Sequence, residues 1–151
     1  MVVELLRYLT QVNPFILIMK LTIYSDGGAR GNPGPAAAGI IIKDENGKVI
    51  SSYGEYLGER TNNYAEYSAL ISGLKKAKEL GATEVECVLD SELVTKQMCL
   101  EYKVREKTLQ KLFVEAYNAA QQFKKVVYRH TLRHGNKEAD AEVNKILDKR
   151  M

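Results

Sequence analysis

From Leu21 onward the chain alternates. Leu21, Ile23 and Ser25 fall on one side of an extended segment and Thr22, Tyr24 and Asp26 on the other, which predicts a first strand. The stretch Gly27 to Pro35 is too rich in glycine and proline for a helix or a strand interior and is expected to be a turn region. Ala36 to Lys43 reads as a second strand, Asp44-Glu45-Asn46-Gly47 as a hairpin connection, and Lys48 to Leu57 as a third strand, so an antiparallel meander is predicted. The period then changes. Tyr67, Leu70, Ile71, Leu74 and Ala77 repeat at helical spacing, and Leu80-Gly81 ends that helix. Glu84 to Leu89 is a fourth strand, Ser91 to Leu100 a short helix, Arg105 to Phe123 a longer one, Lys125 to Leu132 a fifth strand and Asn136 to Arg150 a final helix. The order βββαβααβα predicts an α/β fold, a mixed five-stranded sheet flanked by helices.

Residues 1–18 have a different texture. Val2, Leu5, Leu6, Leu9 and Val12 share a helical face, Asn13-Pro14 breaks it, and Phe15 to Met19 is a short apolar run. Glu4 and the lack of a small-residue cleavage site argue against a secretory leader. Met19 offers a second start, so residues 1–18 are read as an N-terminal extension or a start-site artefact, and residues 19–151 as the domain. The extension is expected to pack on the domain or on a second subunit. A monomer is expected, with residues 1–18 as the route to a dimer.

Composition narrows the class. The 151 residues are 45% hydrophobic and 27% charged, as in an ordinary globular domain. Cys87 and Cys99 form no disulfide framework and no metal-type spacing, which fits a cytoplasmic protein, and no window is apolar for long enough to span a membrane. Residues 101–151 carry 12 Lys and Arg against 7 acids, while residues 1–100 carry 10 against 12. A basic final third suits a polyanionic partner, and equally a solvated helix face.

The acids carry the chemistry. A strand reached by a crossover runs parallel to its neighbour, and placing the fourth strand beside the first brings both C-terminal ends to one edge. Asp26 ends the first and Asp90 the fourth, and neighbouring strands lie about 4.8 Å apart. Glu66, in the first turn of the first long helix, and Asp140, near the start of the last, each sit about 75° from the centre of their helix's apolar stripe. Singly, each acid has an ordinary explanation. Glu66 would close a capping box with Asn63, Asp26 would serve the turn before Gly27, Asp90 would cap the helix starting at Ser91, and Asp140 would be a plain helix-start acid. Together they predict four converging carboxylates, tolerable if cations lie between them. Oxygen donors of this kind select Mg²⁺ or Mn²⁺, and two such ions make a phosphoryl-transfer site.

These residues resemble ribonuclease H type 1. Tyr24 to Pro35 (YSDGGARGNPGP), Thr61 to Glu66 (TNNYAE), Leu89 to Val94 (LDSELV) and Asn136 to Asp140 (NKEAD) carry the likeness, which covers about residues 19–150. The resemblance implies a ribonuclease H-like sheet of order 3-2-1-4-5 with the first three strands antiparallel. It implies a metal-dependent endonuclease that hydrolyses the RNA strand of RNA–DNA hybrids and leaves 5′-phosphate and 3′-hydroxyl ends. It implies two Mg²⁺ ions, replaceable by Mn²⁺, held by Asp26, Glu66, Asp90 and Asp140, with Asp26 shared, Asp140 on the water-activating ion, and Glu66 and Asp90 on the leaving-group ion. Asn32 and Thr61 resemble residues that hold a DNA-strand phosphate, and Asn62 and Asn63 resemble minor-groove contacts. Gly27 and Gly28 would allow close backbone approach.

The chain departs from the family at three places. Glu92 stands where Gln is common. The segment between Asp90 and the last strand lacks a basic, Trp-rich protrusion, leaving Lys96, Lys103, Arg105 and Lys107 to grip the hybrid. His134 precedes Asp140 by six residues, a shorter spacing than that of the family's proton-transfer histidine, and His130 reads as a structural residue of the fifth strand. The alternative from another class is a non-catalytic nucleic-acid-binding module with the same fold.

Overall fold

The computed structural model describes residues 1–12 and 18–150. Helix α1 (Val2–Val12) precedes β1 (Lys20–Ala29), β2 (Gly34–Lys43) and β3 (Val49–Arg60). Then come α2 (Asn62–Glu79), β4 (Glu84–Leu89), α3 (Glu92–Met98), α4 (Lys107–Ala120) and β5 (Lys125–His130). A 3₁₀ turn (Arg133–Asn136) leads into α5 (Lys137–Asp148). The sheet order is β3-β2-β1-β4-β5. The meander is antiparallel and β4 runs parallel to β1, as the sequence predicts, and β5 runs parallel to β4.

One face of the sheet carries the main core. Tyr67, Leu70 and Leu74 of α2 are buried with Ile23, Ile40, Ile42 and Cys87 of the strands, and α4 adds Leu109 and Ala116. The other face carries a smaller cluster in which Val143 and Leu147 of α5 bury Ala37. The two faces therefore hold α2 and α5 on opposite sides of β1 and β2.

Several boundaries differ from the sequence reading. Gly27 to Ala29 and Gly34 to Pro35, expected in a turn, belong to the sheet, pairing Gly27 with Ala38, Gly28 with Ala37 and Ala29 with Ala36. Small side chains do not prevent laddering when the backbone N–H and C=O find partners, and only Arg30 to Pro33 is left as turn. α2 starts at Asn62 because Thr61 Oγ1 accepts the Tyr64 N–H at 3.2 Å, so Glu66 lies one turn inside the helix, and Thr61 rather than Asn63 is the cap. Ser91, not Asp90, caps α3, accepting the Val94 N–H. β5 ends at His130, before the expected Leu132. α4 is shorter than the expected 105–123.

The hairpin follows its chemistry. Asp44 Oδ1 accepts the N–H groups of Asn46 and Lys48, each at 2.9 Å. α1 leaves Val2, Val3, Leu5, Leu6 and Tyr8 exposed, so of the two expected placements of the extension, on the domain or on a second subunit, these side chains do not take the first. Asn13-Pro14 and the Phe15–Leu17 part of the apolar run lie outside the described residues.

Candidate active site

Strand register brings the first two acids together. The β1–β4 ladder ends at the pair Ser25 and Leu89, so Asp26 and Asp90 are the next residue on each of two adjacent strands. Asp26 is not at the end of β1, since on its other side it pairs with Gly39 of β2. It is consequently buried.

Two close approaches deliver the helical acids. A Cβ at Gly27 would fall on the backbone of Ala65, so only glycine lets the first turns of α2 lie against β1 and bring Glu66 to Asp26. Gly27, which also lines the cleft, thus does packing work as well. Gly39 does the same on the other face, where a Cβ would meet the Ala139 carbonyl oxygen at the start of α5. Asp140 follows on that helix, exposed at the rim, and its Oδ2 accepts the Asn144 Nδ2–H at 3.3 Å. Asn136 adds a tie. Its buried amide donates from Nδ2 to the Ser25 carbonyl at 2.8 Å, linking the turn before Asp140 to the residue before Asp26.

Oxygens of Asp26, Glu66 and Asp90 all lie within 4.8 Å of one another. Asp26 is also within hydrogen-bonding reach of Asp140. Burial, then the charges of Asp90 and Asp140, push the Asp26 carboxyl up to about 8. Glu66 is raised well above the usual carboxylate range by burial, and further by Asp26 and Asp90, while the Gly27 N–H donated to it acts the other way. Glu66 Oε2 is buried with no hydrogen-bond partner. An orphaned carboxylate oxygen beside two more, with no nitrogen or sulfur donor in the group, fits hard divalent cations, and protons take their place when none is bound.

The acids open into a cleft of about 520 Å³. Gly28, Asn62 and Asn63 line it, as do Arg30, Arg133 and Asn144, which the sequence reading did not single out. Asn144 is legible from its spacing of four from Asp140, and Arg133 is the immediate neighbour of His134. His134 and Glu92 are exposed and do not line the cleft. Asn32 Oδ1 accepts the Asn62 N–H at 2.9 Å, and Asn62 Oδ1 accepts the Ala29 N–H at 2.8 Å, so these amides lock the β1–β2 turn to the start of α2. Thr61 is the cap described above.

His130 is exposed, unlike a core histidine, with Nε2 3.3 Å from the Asp90 carbonyl oxygen. Of the four basic residues after Asp90, Lys103 and Arg105 line a neighbouring groove together with Asn63. Lys96 stands over the Tyr102 ring, 5.5 Å from its centroid, and Lys107 opens α4.

The comparisons agree with this geometry. A family model described as reverse transcriptase-like matches residues 24–146. A bifunctional protein of Mycobacterium tuberculosis is 42% identical over 131 residues, which are 86% of this chain and 36% of that protein. Ribonuclease HI of Halobacterium salinarum is 38% identical over 129 residues, 85% of this chain and 65% of that protein. The chain therefore spans about a third of the one curated relative and just under two-thirds of the other. LC11-RNase H1, solved in complex with an RNA/DNA hybrid, is 42% identical, with a TM-score of 0.82 over 86% of this chain and 98% of that one. By sequence, sheet order and acidic cleft, the chain belongs to the ribonuclease H group of the reverse transcriptase-like family.

Proposed function

We propose that this protein is an endonuclease that hydrolyses the RNA strand of RNA–DNA hybrids, leaving 5′-phosphate and 3′-hydroxyl ends. The observation that carries the reading is the cluster of Asp26, Glu66 and Asp90 oxygens within 4.8 Å, with Asp140 on its rim. Asp26, Glu66, Asp90 and Asp140 would hold a pair of Mg²⁺ or Mn²⁺ ions, which when bound lower the pKa of water and neutralise charge on the transferring phosphoryl group.

The chain's own residues then divide the remaining work. Asp26 touches each of the other three acids and is their common member. Glu66 is buried, Asp90 half-buried and Asp140 exposed, so the cluster opens to water on the Asp140 side. Asn144 holds Asp140 in one orientation. Asn62 and Asn63, at the start of α2, present amides to the wide minor groove of a hybrid, where 2′-hydroxyls mark the RNA strand. Arg133 supplies positive charge to the cleft for a backbone phosphate. Lys103 and Arg105 extend that charge along the adjoining groove.

The test uses end-labelled RNA–DNA, RNA–RNA and DNA–DNA duplexes, each with Mg²⁺ and with chelator. Cleavage confined to the RNA strand of the hybrid, and only with Mg²⁺, is expected. Binding without cleavage would identify a non-catalytic module, and cleavage of DNA would refute the substrate assignment.

A further inference from the structure

Arg30 lies at the first position of the β1–β2 turn, with its backbone N–H bound to the Pro35 carbonyl at 2.9 Å. Its side chain crosses to the last turn of α5, where Nη2 meets Asp148 Oδ1 at 2.5 Å and Asn144 Oδ1 at 3.5 Å. Arg30 lines the same cleft as the four acids. The backbone is thus anchored by the strands while the charged end is held by a neighbouring helix.

We propose that Arg30 is a further substrate-contacting residue, which takes a backbone phosphate of the hybrid, and that Asp148 holds its guanidinium until the substrate arrives. This rests on the nuclease reading above. Three features support it. The ion pair is open to water, with the Arg30 side chain 33% and the Asp148 side chain 67% exposed, so it contributes little and is cheap to exchange. A phosphate offers the guanidinium the planar, two-point, charge-assisted contact that Arg makes best. A polyanion entering a cleft floored by carboxylates needs positive charge at the edge, and among the described lining residues Arg30 and Arg133 carry it.

A purely structural reading of the same contact is that Arg30 ties the end of α5 to the turn. The two readings differ in sign. If the pair is only a tie, Arg30→Gln and Asp148→Asn break one bond and move KM the same way. If Arg30 serves the substrate, the two variants move KM in opposite directions, because one loses the phosphate contact and the other releases it.

The experiment measures kcat and KM for hybrid cleavage by the full chain over a series of KCl concentrations. Arg30→Gln is expected to raise KM about tenfold and to reduce the slope of log KM against log salt by about one, the signature of one lost phosphate contact. Asp148→Asn is expected to lower KM about two- to threefold. Arg30→Lys should keep the salt slope while recovering only part of the KM. KM moving the same way in Arg30→Gln and Asp148→Asn, or an unchanged salt slope in Arg30→Gln, would overturn the proposal. Cleavage by the wild type in the same series keeps this outcome separate from the nuclease reading, which in this experiment fails if the wild type leaves the hybrid intact.

Discussion

Replacing Asp26 with Asn should make the ion-free protein more stable. Asp26 is 6% exposed, and burial with its acidic neighbours moves its carboxyl from 3.8 to about 8. The folded state therefore binds its proton more tightly than the unfolded chain does. For a carboxyl raised in this way, stability is greatest below about pH 4 and is lost as pH rises toward about 8. At about 1.36 kcal/mol per unit, the roughly three units between 3.8 and neutrality correspond to about 4 kcal/mol. Asn has the same shape and carries no charge, and its amide can donate to Asp90 and Asp140.

Urea unfolding in chelator should thus show Asp26→Asn more stable than wild type by about 2–4 kcal/mol at about pH 7, with the gap shrinking below about 1 kcal/mol near pH 4.5. Excess Mg²⁺ should narrow the neutral-pH gap, because only the wild type keeps all four ligands and gains fully from binding. A variant no more stable than wild type at neutral pH, or a gap independent of pH, would refute the idea that these carboxylates are held together against their own repulsion.

Three further outcomes are expected. Binding of Mg²⁺ near neutral pH should release protons, seen as a calorimetric heat that depends on the buffer's ionisation enthalpy, and the release should fall as pH rises through the Asp26 value of about 8. Asn136→Ala removes a buried hydrogen bond to the Ser25 carbonyl and should cost about 1–3 kcal/mol in urea unfolding while weakening Mg²⁺ affinity, because the Asp26–Asp140 spacing loses its tie. Gly27→Ala pushes a methyl into the Ala65 backbone and should cost at least about 1–3 kcal/mol, with a loss of cleavage larger than the loss of folded protein, measured on samples still folded by circular dichroism.

How far the sequence could be read depended on which force set each feature. The sheet was legible because apolar residues alternate in β1 and repeat at helical spacing in α2, and both patterns reflect burial in one core. Asp26 and Asp90 could be paired because a crossover sets the fourth strand parallel, and the strand order implied by the family resemblance sets it beside the first. The extent of β1 and β2 was not legible, since Gly27 to Ala29 ladder through backbone groups that carry no side-chain signature. The start of α2 was hidden as well. The spacing of Asn63 and Glu66 fits a capping box, yet the Thr61 hydroxyl caps the helix two residues earlier. Arg30 was passed over because its role depends on α5, 114 to 118 residues away, and no local pattern announces such a contact. Residue chemistry draws attention to His134 before Asp140, whereas Arg133, its neighbour in the 3₁₀ turn, is the one that lines the cleft.

The most direct test is single-turnover cleavage of an RNA-labelled hybrid by the wild type and by Asp90→Asn, each with Mg²⁺ and with chelator. The account requires RNA-strand cleavage by the wild type with Mg²⁺ and none in the other three reactions. Cutting that persists in chelator, or at the wild-type rate in Asp90→Asn, would contradict it.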